Sequence, residues 1–581
     1  MDDTRIIERG GRRWWIRPAA EPLLAEGWPP DEPSRLVAVK RGASRTVFRC
    51  AAGGATFYVK VYAASGLLRG LRARIGMGPG RREWEALAAA RAAGLDVPEP
   101  VALARGAAEV LVTREIAGGR PLDEYLFERY FEPLPGDPPY PGARPPELVA
   151  LYRRRREPPE GTIGPRALAE RLAELVGRLA EADLHLPDLH PGNILISGEP
   201  GQWRLSLVDL AEAVHPAPAE TTLKHLMQLE HFFEPITSVS ERMRCLARLR
   251  ATRDDAPDAR LVAEATAVYR QRFYRRRDRR TRRQSKYFRR IAVGPWRGWA
   301  TADWADAVAA LLAKAATDKA AGAVLGAAAA LKEGRTSTVW CLRLDDGRSL
   351  VIKRHNRAGE RGLVRGILRP SRSAAAFRLG HALLVRGIAT ARPAAAVDIA
   401  RRAGPRDTLL VTEQIAGAEP LSDWLRREPP PAQRRGVTRQ LARMIQRLHE
   451  AGFSHRDLKA PNVLVAPAAG PCPRPILVDL DGLRPGRRVS ARRRAQNLMR
   501  LSVSLDEWGV ARRTDRLRFL RTYLGRTGCP SAITIRGRRS GARRAARRLR
   551  RWWRRIARRS ARKLEALRRK HAPSNLGGRT T

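Results

Sequence analysis

Two stretches of the chain alternate apolar and polar residues with the period of short β-strands and are interrupted by turns of small residues. The first runs from Lys40 to Tyr62 and turns at Gly53-Gly54. The second runs from Lys332 to Lys353 and turns at Asp345 to Gly347. Each stretch predicts antiparallel strands with a lysine on the third.

Segments with apolar residues at helical spacing follow both stretches. The pattern predicts an Ala-rich helix from Arg81 to Gly94, with a counterpart from Ala374 to Gly387. Further helices are predicted from Leu168 to Ala182 and from Val437 to Ala451. This order indicates an α+β fold class with two tandem bilobal domains, each with a small antiparallel-sheet lobe and a helical lobe.

The repeated pattern also predicts where the domains begin and end. We expect a lead-in over residues 1–35, a first domain over 36–300, a second over 301–530, and a basic amphipathic tail over 531–581. A chain of 581 residues is long enough for two cores of ordinary size.

The second half contains the residue types that phosphoryl transfer needs. Asp457 can accept a hydrogen bond from a substrate hydroxyl, and Lys459 can offset charge on the transferring phosphoryl group. Asn462, together with Asp479 at the end of an apolar run, supplies the hard oxygen ligands that magnesium prefers.

The same constellation occurs earlier in the chain. Asp188 is the counterpart of Asp457, and His190 stands where the second copy has a lysine. Asn193 and Asp209 are the corresponding metal ligands. A single Asp-x-x-x-x-Asn is a weak signal, but its recurrence with a later Asp and an earlier strand lysine favours two kinase-like units.

The strand lysines Lys60 and Lys353 are placed to reach the α- and β-phosphates of a nucleotide. Glu83, in the helix that follows Lys60, can pair with that lysine and hold it toward the phosphates. In the second copy the matching position is Ala376, so we expect no such pair there unless another residue supplies the carboxylate.

On these motifs the chain resembles the protein-kinase-like superfamily and, within it, the Kdo/WaaP-type lipopolysaccharide kinases. The matching segments are residues 98–100, 188–193, 279–290, 457–462 and 515–524. The resemblance covers residues 36–526 and implies phosphorylation, dependent on ATP and magnesium, of a lipopolysaccharide inner-core sugar, heptose or Kdo.

Each copy departs from the family pattern, so the sequence leaves open whether one unit or both are catalytic. The His-Arg-Asp triplet is intact at His455, whereas the first copy has Leu186 in that place. One alternative is a Ser/Thr protein kinase, although no Ala-Pro-Glu-like segment follows Asp209 or Asp479. Another is a non-catalytic tandem scaffold that binds nucleotide or anionic lipid.

The formal net charge of +52 favours anionic partners. Most of it comes from arginine, since only eleven of the 111 basic residues are lysine. From Arg536 to Lys570, Trp and Leu recur every three or four residues among arginines, which predicts a basic helix at an anionic membrane surface, with a disordered tail as the alternative. Nucleic acid is disfavoured because no groove-reading module accompanies the charge.

The five cysteines are scattered without zinc or disulfide spacing, and the N-terminus lacks an apolar export segment. We therefore expect a cytoplasmic protein. The family resemblance further implies a peripheral location at the inner face of the cytoplasmic membrane, with ATP and a sugar or lipid-linked glycan as substrates. The sequence makes no prediction of the oligomeric state.

Overall fold

The chain forms two compact units in the computed structural model. The first contains the described residues up to Glu132 and from Arg154 to Arg270, and the second contains Arg153 and the described residues from Gln271 onward. The structure describes residues 4–21, 23, 36–42, 45–62, 78–105, 108–132, 153–154, 157–234, 237–317, 329–334, 337–355, 370–399, 408–467, 472–510, 512–525 and 538–571.

The small lobe of the first unit is an antiparallel sheet with one helix. Its elements are β1 (Arg5–Arg9), β2 (Arg12–Ile16), β3 (Val37–Arg41), β4 (Arg45–Ala52), β5 (Ala55–Tyr62), α1 (Pro79–Ala92), β6 (Pro100–Arg105) and β7 (Glu109–Arg114). The strand order is β1, β2, β6, β7, β5, β4, β3. Strands β1 and β2 join this sheet because Trp14 and Ile16 are buried in its core, although the sequence places residues 1–35 before the first domain.

The large lobe of the first unit is mainly helical. Its elements are β8 (Arg120–Pro121), α2 (Leu122–Tyr130), β9 (Phe131–Glu132), β10 (Arg153–Arg154), α3 (Pro165–Glu181), β11 (Ile194–Ser197), β12 (Arg204–Leu207), α4 (Thr221–Phe233), α5 (Val239–Thr252) and the part of α6 (Ala259–Arg280) that precedes Gln271. Strands β12, β11 and β8 form a small sheet. This sheet fixes the segment before β11 and the aspartate after β12.

The second unit repeats the seven-stranded antiparallel sheet. Its elements are β13 (Phe288–Val293), β14 (Trp296–Thr301), α7 (Ala305–Thr317), β15 (Ala329–Gly334), β16 (Ser337–Arg343), β17 (Ser349–His355), α8 (Arg372–Val385), β18 (Pro393–Ile399) and β19 (Thr408–Glu413). The strand order β13, β14, β18, β19, β17, β16, β15 matches that of the first sheet. The predicted boundary between residues 300 and 301 falls after the first two of these strands, because Ile291, Trp296 and Ala300 complete this sheet's core.

The large lobe of the second unit is again helical. Its elements are β20 (Glu419–Pro420), α9 (Leu421–Arg426), α10 (Pro431–Glu450), β21 (Phe453–His455), β22 (Val463–Ala466), β23 (Arg474–Leu477), β24 (Leu483–Pro485), α11 (Ala491–Glu507), α12 (Arg513–Leu524) and α13 (Arg538–His571). Helix α10 buries Val437, Leu441, Ile445 and Leu448, so its apolar stripe is core as its periodicity predicts. The α+β fold class with antiparallel sheets and helical lobes is confirmed.

The basic tail forms α13, and its apolar side packs on the second unit. Leu549, Trp552, Trp553 and Ile556 contact the core of that unit, and the Trp552 ring centroid lies 6.1 Å from that of Tyr523. The tryptophans that the sequence assigns to a membrane interface therefore pack within the chain. In the part of the chain that the structure describes, no helix combines the length and apolarity that a membrane crossing requires.

Candidate active site

His455 organises the polar loop of the second unit. Its side chain is fully buried, and the backbone N–H of Asp457 donates to its Nδ1 at 3.2 Å. That bond leaves Nε2 to donate to the carbonyl oxygen of Asp479 at 3.0 Å. Burial lowers the pKa of His455, so the neutral ring required for this pair of bonds is the favoured form. One side chain thus joins the two segments that carry the predicted reacting groups.

Helix α11 fixes the same loop from the other side. The Asn497 amide accepts from the His455 N–H at 3.0 Å and donates to the His455 carbonyl at 2.9 Å. The Ser504 hydroxyl accepts from the N–H of Ala460 at 2.7 Å. Sequence reasoning missed Asn497 and Ser504, because their distance along the chain gave no sign that they would pair with this loop.

The predicted reacting groups of the second unit lie together. Lys459 Nζ is 2.9 Å from Asp457 Oδ1, and both side chains are about half exposed. The Asn462 amide nitrogen donates to the carbonyl oxygen of Asp457 at 2.8 Å, which leaves the amide oxygen of Asn462 available as a ligand. An accessible carboxylate, an ammonium group and an amide oxygen therefore share one loop.

Lys353, on β17, reaches the aspartates that follow β23. Its Nζ lies 2.6 Å from Asp479 Oδ1 and 2.8 Å from Asp481 Oδ2. Burial lowers the pKa of Lys353, but the charges of Asp481 and Asp479 outweigh that effect, and its pKa lies above the ordinary value. Asp479 adopts a left-handed conformation with φ 58°, which is costly for a residue other than glycine and typical of functional sites.

Asp481 is a residue that the sequence analysis overlooked. Besides Lys353, it accepts from His355 Nε2 at 2.9 Å and from Arg372 Nη2 at 3.1 Å. Burial acts to raise the pKa of Asp481, but the His355 hydrogen bond and the neighbouring charges hold it well below its usual range. The absence of a glutamate at Ala376 was the signal that another carboxylate had to face this lysine.

The first unit joins Lys60 and Glu83 as the sequence anticipates. The two side chains form an ion pair, the Tyr62 hydroxyl also bonds Glu83, and Glu83 is fully buried. Asp209 is left-handed like its counterpart, with φ 67°. Lys60 therefore has its helix glutamate in this unit.

The polar loop of the first unit is held differently. The N–H of Leu186 donates to His225 Nε2 on α4 at 3.0 Å, whereas the second unit uses the ring of His455. Asp188 is largely exposed, with its carboxylate 3.7 Å from His190 Nε2. The amide nitrogen of Asn193 donates to the Asp188 carbonyl oxygen at 3.1 Å.

Arg45, at the start of β4, binds Asp209, the aspartate that the sequence predicts as a metal ligand in the first unit. Its two terminal nitrogens bind the two carboxylate oxygens of Asp209. Burial acts to raise the pKa of Asp209, but this guanidinium outweighs it and keeps the pKa below the ordinary value. The position that matches Arg45 in the second unit is Ser337.

The two units differ in how well their residues fit magnesium. Within the described residues no cluster of three or more His, Cys, Asp or Glu side chains could form a dedicated metal cage. Magnesium bound with substrate phosphates needs only one or two protein oxygens. Asp479 and Asn462 fit this requirement, since Lys353 contacts only one oxygen of Asp479. The first unit does not fit, because Arg45 takes both oxygens of Asp209.

The family model described as the lipopolysaccharide kinase (Kdo/WaaP) family matches residues 332–523, a range that contains Lys353, Asp457 and Asp479.

Several individual proteins are similar to this chain. The lipopolysaccharide core heptose(I) kinase WaaP of Pseudomonas aeruginosa is 29% identical over 192 residues, which are 31% of this chain and 71% of that protein. The 3-deoxy-D-manno-octulosonic acid kinase of Xylella fastidiosa (strain M12) is 31% identical over 30% of this chain and 68% of its own length. That of Xanthomonas campestris pv. campestris (strain B100) is 34% identical over the same two shares.

One solved structure, described as WaaP in complex with acyl carrier protein, is also similar to this chain. It is 24% identical and covers 40% of this chain and 93% of its own, with a TM-score of 0.27.

Proposed function

This chain belongs to the lipopolysaccharide kinase (Kdo/WaaP) family, and from that premise we propose that its second unit transfers the γ-phosphoryl group of ATP to a sugar hydroxyl of the lipopolysaccharide inner core. The observation that carries this proposal is the meeting of Asp457, Lys459 and Asn462 with Lys353 and Asp479 in one unit. These are the parts that positioning and charge stabilisation of a phosphoryl group require.

Each residue has a role in this proposal. Asp457 accepts a hydrogen bond from the acceptor hydroxyl and orients its oxygen for in-line attack. Lys459 offsets charge on the transferring phosphoryl group. Lys353 contacts the α- and β-phosphates, while Asp479 and Asn462 would hold magnesium. A magnesium ion held there would supply positive charge that offsets the negative charge of the nucleotide phosphates.

The surroundings of Asp457 suit an acceptor that carries negative charge. On α11, Arg500 lies on the same turns as Asn497 and Ser504, which bond the catalytic loop. Burial and then the positive charge of Arg456 lower the pKa of Arg484. Arginine binds carboxylate and phosphate bidentately. Both groups occur in phosphorylated inner-core sugars that contain Kdo.

We assign catalysis to the second unit and a regulatory or substrate-holding role to the first. In the first unit the guanidinium of Arg45 takes the place of the metal on Asp209, and the histidine of the triplet is replaced by Leu186. Lys60 and Glu83 are nevertheless paired, so the first unit keeps the means to contact nucleotide phosphates.

Because the donor is ATP and the acceptor is lipid-linked, we place the reaction at the inner face of the cytoplasmic membrane. The exposed arginines of α13 would face anionic headgroups there, while its tryptophans stay packed on the second unit. Contact with the membrane in this arrangement is electrostatic.

The test is transfer of labelled phosphate from ATP to a defined acceptor. Purified full-length protein is incubated with labelled ATP, magnesium and a deacylated inner-core oligosaccharide that ends in Kdo and heptose. We expect label on the oligosaccharide. Label on casein or on the protein alone, with none on the oligosaccharide, would contradict the sugar-kinase assignment. The absence of any ATP hydrolysis or transfer would favour a binding scaffold.

A further inference from the structure

The two units place the carboxylate that faces the nucleotide lysine on different elements. In the first unit it is Glu83 on α1, and Ala211 stands two residues after the metal-ligand aspartate. In the second unit α8 has Ala376 in the helix position, and Asp481 stands two residues after Asp479. The first unit therefore has this carboxylate on the helix, and the second has it on the loop. Each unit has a carboxylate at only one of these two positions.

The residue two positions after each lysine also differs between the two units, and the difference matches the position of the carboxylate. In the first unit it is Tyr62, whose hydroxyl bonds Glu83. In the second unit it is His355, whose Nε2 lies 2.9 Å from Asp481 Oδ2. In each unit the residue two positions after the lysine bonds the carboxylate that faces that lysine. Both arrangements therefore act to position the lysine.

Asp481 is held firmly in this position. His355 Nδ1 lies 3.0 Å from the hydroxyl of Ser373, a fully buried residue on α8, and Arg372 adds a contact of 3.1 Å. The side chain of Asp481 is 13% exposed, whereas that of Asp479 is 36% exposed. Of the two aspartates on Lys353, Asp481 is the anchored one, and Asp479 is the one open to a ligand.

We propose that Asp481 is the positioning residue for Lys353 in the second unit and takes the place of the helix glutamate that the first unit retains. The proposal rests on the proposed function, in which Lys353 binds the phosphates of ATP. With Asp479 as a magnesium ligand, Asp481 would remain on Lys353 and keep its ammonium group directed at the α- and β-phosphates. Asp481 itself touches neither nucleotide nor metal in this scheme.

The test compares Asp481→Asn with the wild type and with Asp345→Asn, a change of the same kind at an exposed turn of the same lobe. The binding of a fluorescent ADP analogue is titrated twice, once with magnesium and once with excess chelator. The KM for ATP and kcat are measured with the inner-core oligosaccharide. The first unit contributes equally in every variant, so differences report on the second.

We expect Asp481→Asn to weaken nucleotide binding about tenfold, the usual size for loss of one charged hydrogen bond, both with magnesium and without it. The KM for ATP should rise by a similar factor, and Asp345→Asn should behave as the wild type. A loss confined to magnesium-containing samples would make Asp481 a metal ligand and overturn the proposal, as would unchanged affinity and KM. A wild type without nucleotide binding would instead defeat the proposed function.

A rescue variant reproduces the arrangement of the first unit. Asp481→Ala is combined with Ala376→Glu and His355→Tyr, and thermal melting is recorded for each protein. Recovery of nucleotide affinity relative to Asp481→Ala alone supports the positioning role, because a carboxylate on a different element restores it. A triple variant that melts at the wild-type temperature but binds no better than Asp481→Ala argues against it.

Discussion

Lys353 Nζ lies 2.8 Å from Asp481 Oδ2, and this contact supplies the carboxylate that the helix of the second unit lacks. In the first unit the equivalent contact joins Lys60 to Glu83. Both units therefore neutralise a strand lysine with one anchored carboxylate. They differ at the neighbouring aspartate, because Asp479 keeps one oxygen free of Lys353, whereas both oxygens of Asp209 bind Arg45.

Replacement of Asp457 by asparagine should reduce phosphate transfer to the oligosaccharide by a factor of about 10² or more, because the acceptor hydroxyl loses its hydrogen-bond acceptor. The KM for ATP should change little, since Asp457 is on the acceptor side of the phosphoryl group in this scheme. Initial rates with labelled ATP measure both quantities. If Asp457→Asn retains transfer and Asp188→Asn abolishes it, the catalytic role belongs to the first unit.

Arg45→Ser should open the first unit to magnesium, because serine is the residue at the matching position of the second unit. The change is made in an Asp479→Asn background, which removes the metal ligand of the second unit. We expect ADP to raise the melting temperature more with magnesium than with chelator only after Arg45 is replaced.

The matched control for this experiment is Arg49→Ser, which removes an arginine of the same strand that pairs with Glu115 on the surface. It should leave the magnesium response unchanged. If Arg45→Ser shows no magnesium-dependent stabilisation, Arg45 is not what keeps the metal from Asp209.

Local pattern and spacing were enough to predict the fold class, and they place Asp457, Lys459 and Asn462 on one loop, as the structure does. The strands, the helix that follows each lysine and the segment around Asp457 all depend on neighbours within a few residues of one another. The contacts of Asp481 with His355 and of Asn497 with His455 join segments that are distant along the chain. Their side chains carry no local signature, so only the fold reveals them.

Helix α13 shows what sequence periodicity can and cannot predict. Its periodicity correctly predicts an amphipathic helix, but periodicity cannot identify what covers the apolar side. Trp552 and Trp553 pack against the core of the second unit. Burial against protein and burial in a membrane interface both require an apolar side on the helix, so the sequence pattern is the same for either. The boundary that the sequence predicts near residue 300 lies after β13 and β14, because these strands show no local feature that assigns them to the later sheet.

Asn497→Ala should destabilise the second unit by about 2 kcal/mol, because it leaves the backbone N–H and carbonyl of His455 buried without their partner. The loop that carries Asp457 should also lose order, so kcat should fall. Urea unfolding and initial rates measure the two effects. Gln496→Ala, the neighbouring position, serves as the control, and equal stability of the two variants would contradict this account.

His449 should make stability depend on pH below neutrality. It is buried between the Tyr523 hydroxyl at 2.8 Å and the Asn497 amide oxygen at 3.0 Å, and burial lowers its pKa from 6.5 to about 4. Between these two values the unfolded chain binds a proton that the folded chain does not, so stability falls as pH decreases from 6.5 towards 4. Each unit of the difference corresponds to about 1.4 kcal/mol.

The measurement is urea unfolding at several pH values between 7.5 and 4.5 for the wild type and His449→Gln. Glutamine does not titrate in this range, so the variant should lose less stability than the wild type as pH falls. Parallel curves for the two proteins would show that His449 does not contribute to the acid sensitivity.

Substitutions on the two sides of α13 should affect different properties, membrane binding on the exposed side and stability on the packed side. Arg554, Arg558 and Arg562 are exposed and spaced one turn apart, and each basic residue near an anionic bilayer contributes about 1 kcal/mol. Their joint replacement by glutamine should weaken cosedimentation with vesicles of anionic lipid on the order of a hundredfold, with no change in melting temperature. Trp552→Ala should instead lower the melting temperature, because its ring packs beside Tyr523. Neutral vesicles are the control, since they should retain neither protein. Undiminished binding of the triple glutamine variant to anionic vesicles would show that this side of the helix is not the membrane surface.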